Sequence, residues 1–144
     1  MINVVIGQSA KTLVSYAPES PLSNFLTNLL LERGPLYIDN PTFKECDLSL
    51  LNFGGIRAQI PKGDIRIANL YEVSPFENSL VFIQLKGSEL KKALQRFTDK
   101  ANAPMAGVEM TYRNSRPVKI LVQHAPIDDN RIYKLVTLDF IAKG

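Results

Sequence analysis

Asn52 and Arg57 flank a glycine pair, Gly54 and Gly55, in the run Leu50-Leu51-Asn52-Phe53-Gly54-Gly55-Ile56-Arg57. Two glycines directly after an apolar segment free the backbone to turn sharply and let a ligand approach it closely. An amide and a guanidinium beside such a turn could both face that ligand at the end of a strand, and arginine offers a planar fork for phosphate or ribose oxygens. The plain alternative is an asparagine bonded to its own turn and an arginine in a surface ion pair. Phe76, within Ser74-Pro75-Phe76-Glu77-Asn78, and Phe140, directly after the last apolar segment, are loop aromatics that could sandwich a flat heterocycle. Taken singly, each could instead pack into the core. The glycine pair is not a common phosphate loop, because GxxxxGK and GxGxxG are both absent.

Other chemistry is scarce. The chain has one histidine, His124, and one cysteine, Cys46, which excludes a four-ligand Cys/His zinc site, an intrachain disulfide and a multi-histidine dinuclear centre. His124 sits at a strand end beside Ala125-Pro126 with no nucleophile pattern nearby and reads as a surface or loop histidine. Cys46 precedes a strand, lacks a basic cluster that would activate it, and reads as a buried, inert thiol. Seventeen Lys plus Arg against fourteen Asp plus Glu give a net charge of +3, but the basic residues are scattered and form no stripe for nucleic acid. No apolar run reaches the roughly 18 residues of a membrane helix. Met1-Ile2-Asn3-Val4 lacks the start of a signal peptide, so the expectation is a cytoplasmic protein or a leader outside this sequence.

These residues need a scaffold, and 144 residues with 45% hydrophobic and 22% charged content supply one domain with its own core. Residues 3–6 read as an opening strand continued by 11–16. Ser20 then caps a helix with Pro21 in its first turn and one apolar stripe, Leu22, Phe25, Leu26, Leu29 and Leu30, which Gly34-Pro35 stops. Residues 36–44 are loop-like. Residues 47–52 read as a strand with Leu48 and Leu50 on one face, 65–67 as a short strand, and 68–73 as a helical turn. Residues 80–85 are almost continuously apolar, as in a strand buried on both faces. Gly87-Ser88 caps a second helix with the stripe Leu90, Ala93, Leu94 and Phe97, and strands follow at 108–112, 118–123 and 132–139, separated by turns. The expected fold is α+β: a single domain over 1–144, with a mixed sheet of five or more strands and about three helices.

Five blocks, PESPLSN (18–24), LLNFGGIR (50–57), LYEVSPFEN (70–78), LKGSELKKAL (85–94) and YKLVTLDF (133–140), occur in this order. Together they resemble the C-terminal domain of the 5'-nucleotidases, the family of periplasmic UDP-sugar hydrolase/5'-nucleotidases and the animal ecto-5'-nucleotidase. The resemblance covers nearly the whole chain. It implies a domain that binds the nucleoside part of a substrate and delivers the phosphate to an N-terminal metallophosphoesterase domain holding two metal ions. By resemblance Phe76 and Phe140 stack on the base, Asn52 and Arg57 contact the nucleotide, and Gly54, Gly55 and Asn78 complete the substrate-binding set.

The departures are specific. Phe53 stands where the family's N-G-G-G-I-R motif has its first glycine, and Tyr16-Ala17-Pro18 stands where members carry a second arginine. The family continues after its last phenylalanine into a Gly-Gly-Asp-Gly stretch whose Asp binds ribose, while this sequence ends at Ala142-Lys143-Gly144, which predicts a pocket cut short at that turn. The metal motifs Asp-x-His, Gly-Asp-x-x-Asp, Gly-Asn-His and Gly-His-x-His are absent. The resemblance therefore implies no catalytic residue, metal or cofactor in this domain. Its partners would be a nucleoside or nucleotide and a metallophosphoesterase domain, in cis or as a separate subunit, with no nucleic acid and no membrane span. The implied compartment is periplasmic or extracellular. The alternative is a non-catalytic interaction module that docks on a separately encoded metallophosphoesterase subunit.

Overall fold

The computed structural model describes residues 1–99, 103–114 and 116–142, with side chains through Arg96 in the first of these segments. Phe97, expected on a helix face, and Asn102 and Ser115, expected in turns, therefore lie outside the described side chains and residues. In chain order the elements are β1 (Val5–Ser9), α1 (Pro21–Arg33), β2 (Leu48–Leu50), β3 (Gly63–Arg66), α2 (Ile67–Val73), β4 (Leu80–Lys86) and α3 (Gly87–Asp99). They continue with β5 (Met105–Ala106), β6 (Val108–Arg113), β7 (Arg116–Val122), β8 (Ala125–Pro126), β9 (Ile132–Leu138) and the short α4 (Asp139–Ala142).

The central sheet has the order β4-β9-β2-β5 and is mixed: β9 runs antiparallel to β4 and parallel to β2, and β2 runs antiparallel to β5. A meander β6-β7-β8 and a two-stranded ribbon β1-β3 complete the strands. The fold class is α+β in one domain, as expected, with its strands divided among three sheets of which the widest has four. The main core joins Leu48 and Leu50 of β2, Tyr133 and Leu135 of β9, Leu90 and Leu94 of α3, and Val122 and Ile127. A smaller cluster forms around Leu22, Ile60 and Val73.

Three local expectations change. β4 is not buried on both faces: it is the edge strand of its sheet, Leu80, Gln84 and Lys86 on one of its faces reach solvent, and the doubly covered positions belong to β2 and β9. Residues 11–16 do not extend β1 as a strand and contribute only an isolated bridge between Leu13 and Ile60. The third change concerns α1. Its N-terminus is capped as expected, with the Ser20 hydroxyl accepting from the Ser23 N–H and the Ser23 hydroxyl accepting from the Ser20 N–H. Its buried side, however, carries Leu22, Ser23 and Thr27, while Phe25 and Leu29 are 48% and 45% exposed.

The cause is close approach between helix and sheet. Ser49 of β2 donates its hydroxyl to the Thr27 carbonyl at 2.7 Å, and Thr27 donates to the Ser23 carbonyl at 2.9 Å. Small hydroxyl side chains on the buried line are satisfied by helix backbone carbonyls, so the larger Phe25 and Leu29 turn outward.

α3 buries Leu90 and Leu94 as its stripe predicts. Gly87 and Ser88 are its first residues rather than its caps. Their N–H groups donate to the carbonyls of Arg131 and Asp129 at 2.9 and 3.2 Å, and the Glu89 carboxylate accepts from the Lys86 N–H at 3.3 Å. The loop before β9 thus takes the place of a side-chain cap.

Candidate functional site

The site grows from the end of β2. The buried Thr137 hydroxyl on β9 donates to the Leu50 carbonyl at 2.7 Å, and the Leu51 N–H donates to the Pro104 carbonyl at 3.0 Å. Pinned on both sides, the chain leaves the sheet at Asn52 and makes a tight 3-10 turn over Phe53–Gly55, in which the Gly55 and Ile56 N–H groups donate back to Asn52 and Phe53. The Asn52 side chain makes no capping hydrogen bond to this turn; it lies over Gly55, where an added Cβ would sit 2.9 Å from Asn52 Oδ1. A side chain at 55 would have to displace the Asn52 carboxamide, and the asparagine is not spent on its own turn.

Phe76 and Phe140 are 52% and 66% exposed, so neither is a core residue. They come from the same end of the antiparallel β4–β9 pair, one just before β4 and one just after β9, and Asp139 ties the two segments together. The Asp139 N–H donates to the Ser79 carbonyl at 3.0 Å, and the Asp139 carboxylate accepts from the N–H groups of Ser79 at 3.3 Å and Phe140 at 2.9 Å. Sequence reasoning did not single out Asp139, although an Asp opening a short helix directly before a loop aromatic is a capping signal.

Asn52, Gly54, Gly55, Phe76, Asn78 and Phe140 line one cavity of about 400 Å³, together with Glu77. Six of the seven expected site residues thus converge from three separate stretches of chain; Glu77 is the one lining residue the sequence reading passed over. Arg57 does not line the cavity. Its N–H donates to the Val73 carbonyl at 2.8 Å, its guanidinium leans on the Gly54 carbonyl at 3.4 Å, and among the described residues it is in no ion pair of the kind the plain reading expects. Phe53 and Tyr16, the two departures from the family pattern, are not among the lining residues.

A model of the family "5'-nucleotidase, C-terminal domain" matches residues 5–144. The chain belongs to this family. It is similar to Protein UshA of Yersinia enterocolitica, 35% identical over 103 residues, which are 68% of this chain and 19% of that protein. Human 5'-nucleotidase is 26% identical over 148 aligned residues, 88% of this chain and 26% of its own length. Among solved structures, the 5'-nucleotidase precursor of Thermus thermophilus superposes with a TM-score of 0.79 at 30% identity, covering 97% of this chain and 30% of that one. The chain thus spans a third or less of each of these relatives.

The sequence has one histidine, and among the described residues no three His, Cys, Asp or Glu side chains converge as a metal site would require. His124 lies in the β7–β8 turn, where Gln123 and His124 both have positive φ (51° and 65°), and its exposed ring pairs with the Glu109 carboxylate. It is a turn histidine, as expected. Among the described residues, no helix is long and apolar enough to cross a membrane.

Cys46 is half-buried rather than fully buried. Burial pushes its thiol up, the neighbouring Asp47 carboxylate adds to that, and Lys134 opposes it. A raised folded pKa means the thiol's contribution to stability is complete below the ordinary thiol value and is lost as pH rises through the folded value. Iodoacetamide at pH 8 is therefore expected to label Cys46 more slowly in the native protein than in urea, and Cys46→Ala is expected to flatten the fall in stability above about pH 8.5. Equal labelling rates in the two conditions would contradict the first expectation.

Proposed function

We propose that this domain recognises the nucleoside part of a nucleotide, with the base held between Phe76 and Phe140 and the carboxamides of Asn52 and Asn78 facing its polar edges. The observation that carries the reading is the convergence of six family-matched residues on one cavity of about 400 Å³, within the usual size range of small-ligand sites. The exposed rings of Phe76 and Phe140 present apolar faces that a flat heterocycle would cover. The Gly54-Gly55 backbone lets the ligand approach without meeting a Cβ. Arg57 reaches the ligand by exchanging the long contact with Gly54 for an oxygen of ribose or phosphate, for which its planar fork is better suited.

Hydrolysis belongs in this reading to a metallophosphoesterase domain, in cis or as a separate subunit, that holds two divalent metals; this domain supplies neither metal ligand nor nucleophile. The family resemblance supports a periplasmic or extracellular setting. Without a partner gripping the phosphate, affinity is expected to be about millimolar.

The test is a titration of the domain with adenosine, AMP and uridine followed by amide NMR. Shifts centred on 52–57, 76–78 and 140 are expected, and shifts confined to other surfaces would overturn the site. Asp139→Ala, which removes the carboxylate's bonds to the Ser79 and Phe140 N–H groups and keeps the backbone bond to the Ser79 carbonyl, is expected to raise the adenosine Kd about fivefold, the loss of roughly one hydrogen bond's worth of positioning. AMP and adenosine should weaken alike, because Asp139 holds the rings and does not meet the phosphate.

A further inference from the structure

A second and larger cavity, about 630 Å³, adjoins the first. The two share Asn52, Gly55 and Asn78, so they meet across the turn that follows β2. Their linings differ in character. The larger is walled by leucine and isoleucine side chains, among them Leu26, Leu29, Leu51 and Leu138, and Leu36 and Tyr37 also line it. Leu29, Leu36 and Tyr37 are 45%, 68% and 81% exposed, an apolar concentration of the kind soluble proteins keep for contact with something else. Its origin is the rotation of α1: because Ser23 and Thr27 occupy the buried line, Leu29 is turned toward this space.

We propose that the two cavities form one bipartite site, in which the compartment at Phe76 and Phe140 takes the base and the leucine-lined compartment takes an aryl or alkyl substituent carried by the same ligand. The proposal rests on the nucleoside reading and names a ligand class within it: nucleoside derivatives bearing an apolar group, preferred over the bare nucleoside. The adjacency of the two spaces, which share Asn52, Gly55 and Asn78 in their linings, carries the argument. Once the base is held, a linked apolar group enters the neighbouring compartment at high effective concentration and leaves water for a lining already built of hydrocarbon. The carboxamides of Asn52 and Asn78, which border both spaces, lie where the polar linkage between the two parts would pass.

The test compares adenosine with 3'-O-(N-methylanthraniloyl)adenosine, whose fluorophore brightens and shifts to the blue when it leaves water. The derivative is expected to bind at least tenfold more tightly than adenosine, with blue-shifted emission and added amide shifts at residues 29, 36 and 138. The double variant Leu29→Gln/Leu36→Gln should return its affinity to that of adenosine and leave the adenosine Kd unchanged; both leucines are exposed, so the fold tolerates the change. If adenosine binds at 52–57, 76–78 and 140 but the derivative gains neither affinity nor blue shift, the bipartite site is wrong while the nucleoside site stands. If adenosine leaves those amides unmoved, the nucleoside reading falls and takes the proposal with it. A dimer in sedimentation that the double variant dissolves, with fluorescence unchanged on mixing, would assign the leucine face to self-association and also overturn the proposal.

Discussion

Replacing Phe76 and Phe140 together by alanine is expected to abolish measurable adenosine binding while leaving thermal stability almost unchanged. The two rings are 52% and 66% exposed, so truncating them removes little buried area and opens no core cavity. Stacking of a base on an aromatic side chain is worth about 1–3 kcal/mol per ring, so losing both weakens binding by roughly 30-fold to more than 1,000-fold. From a millimolar starting point, that puts the complex out of reach of a titration. Calorimetry and amide NMR on the double variant provide the check: Tm within about 2 °C of the parent protein, and no residual shifts at 52–57 on adding adenosine. Retained binding would show that the polar groups alone hold the ligand. A large fall in Tm would show that the rings are structural.

The second large effect is on stability. An added Cβ at Gly87 would lie 1.9 Å from the Asp128 carbonyl oxygen and 2.6 Å from its carbon, and both are backbone atoms that no rotamer change can move. The same glycine donates its N–H to the Arg131 carbonyl at 2.9 Å, so helix and loop cannot separate without losing that bond. Gly87→Ala is therefore expected to cost about 3 kcal/mol despite alanine's better helix propensity, lowering Tm by roughly 10 °C for a domain of this size. Ser88→Ala is the matched control, because the Ser88 backbone N–H, not its side chain, contacts the loop; it should change Tm by little. Urea unfolding of the two variants separates the cases, and equal midpoints would mean that the loop at 128 yields freely. The loop leads directly into β9, whose far end carries Phe140, so Gly87→Ala is also expected to broaden the amide signals of the aromatic pair.

The blocks that carry the family pattern are the places where local chemistry and tertiary role coincide. Ser20-Pro21 is a helix start in any context, because the hydroxyl and the ring each satisfy a requirement of the first turn. The glycine pair after β2 likewise marks a turn at the strand end, and a Cβ at Gly55 would sit 2.9 Å from the Asn52 side-chain oxygen that lies over it. Residues 80–85 and the stripe on α1 mislead for one shared reason: periodicity records which residues are apolar, not which of them the rest of the fold will cover. β4 is apolar yet lies at the sheet edge. α1 is apolar around much of its circumference, and it is β2, on which Ser49 bonds the Thr27 carbonyl, that packs close to the side carrying Ser23 and Thr27. The pairing of β2 with β5, only two residues long, leaves too short a pattern in the sequence to be seen.

Family and α+β class were legible in the amino-acid order, because they follow from motifs whose local chemistry is self-contained. Three-dimensional packing was needed to place Phe76 and Phe140 on one cavity, to lean Arg57 on the Gly54 carbonyl, and to open a leucine-lined space beside them. Each of these depends on groups distant in the chain: a carboxylate at 139 holding a loop at 79, a hydroxyl at 49 holding a helix at 27. Such long-range pairings leave no period in the sequence. They exist only once the sheet has brought its strands into register.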